Sequence, residues 1–247
     1  MLEITPIKAA FVGCESIKYL FPKSSCAVLV SVGQPQQEGD NFKAIIALVN
    51  KHFKECTVVI GDSLQRHNLK FHDQDLAQYY NISVANGDAW IYRNQSALSM
   101  LTIPNDIKRW GTWLLHSQYQ NQREKILSLY YSDDIYRGTI DSTINDFICR
   151  IYKRKDINKS IAASNCFNYI IEELTILMLI MPECGYNYAV YPNKIPKAFQ
   201  LTHDIFVRPK MPHFMNWAPV RFRKNTSQKM LLNGSITYLP DPAQMFV

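Results

Sequence analysis

The amino-acid sequence predicts an α/β fold with a doubly wound parallel sheet, and three stretches near its start lead to that prediction. Residues 27–32 and 57–60 are continuous runs of apolar and β-branched residues. Unbroken runs of this kind are typical of parallel strands that are covered on both faces. Between them, residues 40–55 place apolar side chains at helical spacing, so the three stretches make one βαβ unit.

We expect the rest of the chain to be mainly helical. Helices are predicted at residues 73–101 with an interruption near Asn86 and Gly87, at 104–131, at 140–153 and at 160–181. Thr102 can cap the second of them, and Pro182 ends the fourth, which is strongly apolar. A further strand is expected at 186–191. The segment 209–247 has strand-like pieces such as 220–222, whose order the sequence leaves open.

Composition indicates a folded protein of a reducing compartment. Hydrophobic residues make up 47% of the 247 residues, which is enough for a large core and excludes intrinsic disorder. The length fits one domain over residues 1–247, since no linker or repeat divides the sequence. The six cysteines lack the spacing of a zinc site, so no metal is expected. With neither an export signal nor an apolar run of about 20 residues, we expect a cytoplasmic protein without a membrane partner.

Ser31 is a candidate nucleophile, because it lies where the first buried strand is about to end. Gly33 and Pro35 follow it, and a strand-to-loop turn can present a hydroxyl to the cleft at the carboxyl edge of the sheet. An ordinary turn serine is the alternative interpretation. The GxSxG elbow of hydrolases is absent, because Leu29 occupies the place of its first glycine.

Tyr169 and Glu173 are four residues apart in the predicted apolar helix, so they lie on one face of it. A carboxylate that is buried there needs a partner, and the ammonium group of a substrate would suit it. Alternatively, Glu172 and Glu173 form a solvated stripe. Tyr191 places another phenol at the end of a predicted strand, just before Pro192, although packing alone would also explain it.

Together, these pieces closely resemble the tRNA-dependent cyclodipeptide synthases. The resemblance is carried by residues 29–34 (LVSVGQ), residues 168–174 (NYIIEEL) and the Tyr191-Pro192 pair, and it covers about residues 26–206. That family has a Rossmann-like fold similar to the catalytic domain of class I aminoacyl-tRNA synthetases. The resemblance implies an enzyme that takes two aminoacyl-tRNAs in turn and releases a cyclic dipeptide, with neither ATP nor a cofactor.

The resemblance also implies roles for single residues. Ser31 receives the first aminoacyl group and then carries the dipeptidyl ester. Tyr169 and Glu173 hold the substrate amine, and Tyr191 lies near the reacting esters. These four are the candidate catalytic residues.

Three positions near the nucleophile and the second tyrosine are candidate substrate-binding residues: Gly33, Gln34 and Pro192. The family has two branches, and Gln34 with Pro192 is similar to the branch that has a variable residue and a proline at these positions. Leu29 departs from the glycine that is common two residues before the serine. This departure affects how the backbone approaches the first aminoacyl group.

Basic residues predict where tRNA binds. The chain has 27 Lys and Arg against 21 Asp and Glu, a balance that favours polyanionic partners. Arg109, His116 and Arg123 recur every seven residues, so they form one stripe on the predicted helix 104–131, with Lys108 and Lys125 beside it. The family resemblance favours tRNA contact here, and a solvated helix face is the alternative. A second basic cluster at 150–159 extends this surface. We expect a monomer that does not bind DNA.

Asp62, Arg66 and His67 follow the second strand, at the same edge of the sheet. They are candidates for a pocket that holds an amino-acid side chain or the tRNA end, while Asp62 alternatively caps the next segment. Two rival functions stay open. Ser31, Asp62 and His67 could form the triad of a serine hydrolase or acyltransferase, although Asp62 and His67 are close in sequence for that. The chain could also bind tRNA without catalysis.

Overall fold

A computed structural model describes residues 6–69, 76–152 and 158–224. In these ranges a six-stranded sheet has the spatial order β1-β6-β5-β2-β3-β4. The strands are β1 (Ile7–Phe11), β2 (Ser25–Val30), β3 (Glu55–Ile60), β4 (Asn105–Arg109), β5 (Tyr188–Tyr191) and β6 (Asn216–Lys224). All neighbouring strands are parallel except β1, which pairs antiparallel with β6.

The helices lie on both faces of this sheet. They are α1 (Gly39–His52), α2 (Arg66–Leu69), α3 (Leu76–Arg93), α4 (Gln95–Leu98), α5 (Trp110–Leu114), α6 (Tyr119–Ser132), α7 (Asp134–Tyr152), α8 (Lys159–Leu174) and α9 (Lys197–Thr202). Two π-helical segments, Thr175–Ile180 and His203–Val207, continue α8 and α9.

Successive side chains of β2 point to opposite faces of the sheet, so they belong to two separate layers of the core. Val28 and Val30 point to one face, where they join a cluster with Phe42 of α1 and Trp90 of α3. The intervening Leu29 points to the other face, where the larger cluster contains residues of α5 to α9. Because β2 is covered on both faces, its residues form the unbroken apolar run in the sequence. The predicted doubly wound α/β fold is confirmed.

The order of the strands creates a switch point beside β2. The chain moves outward from β2 to β3 and β4, and it then returns to the opposite side of β2 to form β5 and β6. Ligands of doubly wound sheets bind in the crevice outside the carboxyl ends of the strands at such a point. The residues that follow β2 and end β5 therefore face the expected binding crevice.

Two predicted elements are confirmed with shifted ends. The βαβ unit forms from β2, α1 and β3, and the apolar segment 160–181 forms α8 with its π-helical continuation. The continuous helix Lys159–Ile180 is long and apolar enough to cross a membrane, yet 67% of its most apolar window is buried inside the protein. This helix is part of the core.

The single helix predicted over 104–131 is wrong. Residues Asn105–Arg109 instead form edge strand β4, which pairs parallel with β3. Asn105 and Asp106 are exposed at this edge, so the strand lacks the apolar pattern that would have marked it. Helices α5 and α6 follow as separate elements.

The interruption predicted near Asn86 and Gly87 is also wrong, since α3 continues through both residues. A Cβ atom at Gly87 would lie 2.6 Å from the Cβ of Asp62, so this glycine permits close packing of α3 against the loop after β3. The helix ends at Arg93, and the side chain of the next residue, Asn94, donates to the backbone oxygen of Trp90. Residues 73–75, where the predicted helix begins, lie outside the described part of the chain.

Candidate active site

Ser31 and Tyr191 meet at the switch point of the sheet. Ser31 directly follows β2, and Tyr191 is the last residue of the neighbouring strand β5. Their hydroxyl oxygens are 3.1 Å apart, although the two residues are 160 positions apart in the chain. The parallel pairing of β2 with β5 therefore builds a two-hydroxyl site at the carboxyl edge of the sheet.

A buried glutamine fixes the backbone at the nucleophile. The backbone N–H of Ser31 donates to Oε1 of Gln37 at 2.7 Å, and Nε2 of Gln37 donates to the backbone oxygen of Leu29. Gln37 is itself held by Trp90, whose Nε1 donates to its carbonyl at 2.9 Å. Gly33 has a φ of 90°, which allows the tight turn between them. Sequence analysis missed Gln37, because a glutamine beside Gln36 has no signature of burial.

Glu173 and Tyr169 project from α8 toward the two hydroxyls, and all four side chains line the same cavity. Burial and, to a smaller extent, the neighbouring carboxylate of Glu172 together raise the pKa of Glu173 to about 8. Burial also raises the pKa of the Tyr169 and Tyr191 phenols. A carboxyl group whose pKa lies near neutrality can exchange a proton with an amine.

Glu172, the neighbour of Glu173, points into a separate network. Its side chain is 5% exposed, and both of its oxygens accept hydrogen bonds from the guanidinium of Arg66. Trp110 donates from its indole nitrogen at 2.8 Å, and Nε2 of His67 lies 3.3 Å away. Burial alone would raise the pKa of Glu172, but the hydrogen bonds from His67 and Arg66 outweigh it and lower that pKa. The alternative interpretation, in which Glu172 and Glu173 form a solvated stripe, is wrong, because Glu172 is buried.

Asp62, Arg66 and His67 are not among the residues that line the two cavities containing Ser31, although the ring centre of His67 lies 6.5 Å from that of Tyr169. Asp62 is buried and caps the next turn, accepting from the backbone N–H of Ser63 at 2.7 Å. It also accepts from Arg109. The alternative interpretation of Asp62 as a cap is therefore the one that the structure supports. Arg66 and His67 are held by Glu172 instead.

The same contacts break up the triad that a serine hydrolase would need. Asp62 bonds Arg109 and two backbone N–H groups, while His67 contacts Glu172. The hydroxyl of Ser31 instead bonds the phenol of Tyr191. This arrangement gives Ser31 no imidazole base from His67 and no Asp62–His67 pair.

The predicted substrate-binding residues lie in different places. Gln34 lines the larger of the two cavities that contain Ser31. Gly33 lines a small neighbouring cavity, and Pro192 lines a separate groove beside Trp217. Of these three, only Gln34 shares a cavity with Ser31.

The basic residues predicted to bind tRNA do not form one helical stripe, because they belong to separate elements. Lys108 and Arg109 end strand β4, His116 lies in the loop after α5, and Arg123 and Lys125 belong to α6. Arg109 is committed to ion pairs with Asp62 and Asp88. Lys108 lies 5.3 Å from the ring centre of Trp113, and Lys125 is exposed. Residues 153–157 of the second basic cluster lie outside the described ranges.

Two cavities converge on the four candidate catalytic side chains. One has a volume of about 330 Å³ and the other about 750 Å³, and both are lined by Ser31, Tyr169, Glu173 and Tyr191. Within the described ranges, no group of three or more His, Cys, Asp or Glu side chains could hold a metal ion. The site thus offers a hydroxyl pair and a carboxyl of raised pKa, flanked by two spaces for substrate.

Comparison with known proteins shows which family has this architecture. The chain superimposes on a solved cyclodipeptide synthase from Fluoribacter dumoffii with a TM-score of 0.85 and 33% sequence identity. The match covers 89% of this chain and 99% of that one. The chain belongs to the cyclodipeptide synthase family. No protein-family model matches the sequence, and no curated protein does either.

Two more distant structures share the fold of this synthase. A cyclodipeptide synthase from Candidatus Glomeribacter gigasporarum, solved with Phe-tRNAPhe, matches with a TM-score of 0.69 at 14% identity, over 96% of this chain and 100% of that one. A Mycobacterium tuberculosis structure matches at 0.65 and 12% identity, over 90% and 95% of the two chains. That structure is described as showing that cyclodipeptide synthetases are related to type I tRNA synthetases. The Rossmann-like fold predicted from the sequence agrees with this relationship.

Proposed function

We propose that this synthase takes two aminoacyl-tRNAs in turn, forms an aminoacyl and then a dipeptidyl ester on Ser31, and releases a 2,5-diketopiperazine. The observation that carries the proposal is the 3.1 Å contact between the hydroxyls of Ser31 and Tyr191, beside the half-buried Glu173, in a member of this family. Tyr169 completes the set of candidate catalytic residues in the same cavity.

In the first step, Oγ of Ser31 attacks the ester carbonyl of an aminoacyl-tRNA. The bond between that carbonyl and the ribose oxygen breaks, and the ribose oxygen takes up the proton that Ser31 releases. Tyr191 is placed to relay this proton, because its hydroxyl contacts Oγ of Ser31. One ester replaces another, so the step requires no ATP.

In the second step, the amine of the aminoacyl group on Ser31 attacks the ester carbonyl of a second aminoacyl-tRNA. The bond between that carbonyl and the ribose oxygen breaks, the tRNA leaves with the proton that the amine loses, and a dipeptidyl ester remains on Ser31. The new terminal amine then attacks the Ser31 ester, closes the six-membered ring and releases the hydroxyl of Ser31. Each attacking amine must be neutral. Glu173 supports this requirement, since a carboxyl with a pKa of about 8 can hold an ammonium group and accept its proton. Tyr169 is placed to orient the amine.

Basic residues at the surface support tRNA as the carrier of both amino acids. We assign the contact to Lys108, Arg109, His116, Arg123 and Lys125, now as a surface built from β4, the loop after α5, and α6. Of these residues, Lys125 is the most exposed and the most accessible to a phosphate. Arg109 forms ion pairs with Asp62 and Asp88, so it contributes to the tRNA surface by holding β4 in place. Contacts of this kind weaken steeply as the salt concentration rises.

Gln34 and Pro192 support membership of the branch that has a variable residue and a proline at these positions. We place the activity in a single catalytic domain over residues 1–247 that works as a cytoplasmic monomer, without a DNA or membrane partner. The one-domain part of this proposal is supported by the sheet of the described ranges, which has one helix-covered core on each face.

The proposal is tested by mass spectrometry of products from cells that express the wild type or Ser31→Ala, with the exposed Ser99→Ala as a matched control. We expect cyclic dipeptides from the wild type and the control, and none from Ser31→Ala. Purified Ser31→Ala should still bind aminoacyl-tRNA in a salt-dependent manner without forming an acyl adduct. Full product from Ser31→Ala would overturn the mechanism. Hydrolysis of a small aryl ester without tRNA, or tRNA binding by a wild type that makes no product, would favour the hydrolase or the non-catalytic binder.

A further inference from the structure

The two cavities at Ser31 differ in the residues that they do not share. Six apolar side chains form a lobe that belongs to the smaller cavity alone, Leu29, Val59, Leu64, Trp110, Leu177 and Trp217, and the exposed Lys194 also lines this cavity. The larger cavity has a polar lobe, lined by Gln34, Gln65, Asn68 and Thr143 together with Phe147 and Ile170. Because both lobes open on the same nucleophile, the two amino acids of the product meet different surroundings.

The apolar lobe suits an apolar side chain. Its six side chains carry no charge, and the indole nitrogens of Trp110 and Trp217 already donate to Glu172 and to the backbone oxygen of Asn193. Lys194, the cation that lines this cavity and not the larger one, is exposed. A charged or amide side chain placed there would lose its hydration without gaining partners, which is costly. An aliphatic or aromatic amino acid would instead gain from the removal of its surface from water.

The polar lobe has a cation at its edge. Arg150, near the end of α7, lines both cavities, and its Nε donates to the backbone oxygen of Asp146 at 3.2 Å. Within the described residues, the ion pairs of the protein do not include Arg150, so the rest of its guanidinium has no carboxylate partner there. Its charge acts inside the lobe, because it opposes the rise that burial causes in the pKa of the Cys166 thiol.

The neighbouring amides are partly committed to each other. Nε2 of Gln65 donates to the backbone oxygen of Gly61, and its Oε1 accepts from Asn68 at 2.8 Å. The guanidinium of Arg150 is therefore the strongest donor left in this lobe. Its natural partner is a carboxylate, which it can bind through two parallel hydrogen bonds. A neutral amide side chain would leave the positive charge uncompensated.

We propose that the two amino acids of the product are one apolar residue, held in the apolar lobe, and one acidic residue, aspartate or glutamate, whose carboxylate Arg150 binds in the polar lobe. This inference rests on the proposed function and adds the substrate class to it. It also assigns Arg150 to the amino-acid substrate, although Arg150 belongs to the basic cluster 150–159 that the sequence predicts to bind tRNA.

The experiment compares glutamyl and glutaminyl groups carried on the same tRNA, each mixed with a leucyl-tRNA and the purified synthase. Because the tRNA is identical, only the side chain differs. We expect the wild type to favour cyclo(Leu-Glu) over cyclo(Leu-Gln), and Arg150→Leu to reduce the glutamate product by about 10-fold or more while the glutamine product changes little. Arg150→Lys should retain part of the preference. Arg208→Leu removes an exposed cation that pairs with Asp204, and it should change neither product.

Three results would overturn the inference. Equal yields of the two products from the wild type would show that the polar lobe does not select a carboxylate. An equal loss of both products in Arg150→Leu would assign Arg150 to a tRNA phosphate. Cyclic dipeptides from wild-type cells that contain no acidic residue would exclude the substrate class and leave the proposed function standing. The absence of every cyclic dipeptide would instead remove the proposed function and this inference with it.

Discussion

Glu172 and Glu173 are consecutive residues of α8, yet they enter two regions with opposite properties. Glu172 lies in a buried network where Arg66, His67 and Trp110 satisfy its carboxylate. Glu173 faces the cavity of Ser31, and burial raises its pKa to about 8. The network stabilises the charged form of Glu172, whereas burial favours the protonated, uncharged form of Glu173.

This difference shows how to separate structural from functional buried charge in this protein. A carboxylate whose partners all come from the protein is saturated and contributes to the fold. A carboxyl group that opens on a cavity and has a pKa near neutrality is available to a substrate. The first also acts on the second, because the charge of Glu172 helps to raise the pKa of Glu173.

The largest effect on activity is expected from Glu173→Gln. The amide cannot accept the proton of an attacking amine, so we expect product formation to fall by about 10²- to 10⁴-fold. The Ser31 acyl adduct should still form, which intact-protein mass spectrometry detects. Glu124→Gln changes an exposed glutamate of α6 and serves as the control. Undiminished cyclic product from Glu173→Gln would remove this carboxyl group from the chemistry.

The same variant has a pH-dependent effect on stability. Between pH 4.5 and about 8 the folded protein holds a proton on Glu173 that the unfolded chain has released, so the wild type loses stability as pH rises through this window. Glu173→Gln has no carboxyl group to titrate at this position, so its stability does not fall in this way. Its Tm relative to the wild type should therefore be higher at pH 9 than at pH 5, as measured by thermal unfolding. A constant difference between the two pH values would contradict the raised pKa.

Glu172→Gln should act mainly on stability. It leaves the guanidinium of Arg66, which is 18% exposed, without its counter-charge, and we expect the free energy of unfolding to fall by about 3 to 5 kcal/mol. Since the folded-state pKa of Glu172 lies below its ordinary value, the difference from the wild type should shrink as pH falls through that pKa. Urea unfolding at pH 7 and at acid pH measures both effects. A variant as stable as the wild type would show that the network does not support the fold.

The smallest effect is expected from His67→Gln. Its contact with Glu172 is long, at 3.3 Å, and Arg66 and Trp110 remain in place, so the loss of stability should be about 1 kcal/mol. Product yield should be unchanged at temperatures where the protein is folded, because His67 does not line the cavities at Ser31. A large loss of product without a loss of stability would return His67 to the substrate pocket that the sequence predicted.

The elements that could be predicted from the sequence contain long runs of buried residues. Strands β2 and β3 are covered on both faces, so their apolar runs are unbroken and mark them directly. The π-helical continuation of α8 is likewise buried throughout. The meeting of Ser31 with Tyr191 follows from parallel strands that end at one edge, so the core of the site was accessible from the pattern together with the family resemblance.

Other features depend on contacts between distant parts of the chain, which no local pattern records. Strand β4 lies at the edge with exposed polar residues, and it was therefore mistaken for a helix. Helical spacing could not show which of Glu172 and Glu173 would have its carboxylate hydrogen-bonded by the protein, since that depends on Arg66 and Trp110. Gln37 is buried where its backbone oxygen accepts a hydrogen bond from Trp90 of α3, a residue 53 positions away.

The distance in sequence between Ser31 and Tyr191 has a consequence for the chain while it is being synthesised. The serine leaves the ribosome long before its partner on β5, because 160 positions separate them. A growing chain that has just exposed Ser31 therefore lacks the second hydroxyl, the carboxyl group of Glu173 and the later residues that line both cavities. Under the proposed mechanism, the aminoacyl-tRNA around the ribosome meets a complete site only after β5 has joined the sheet.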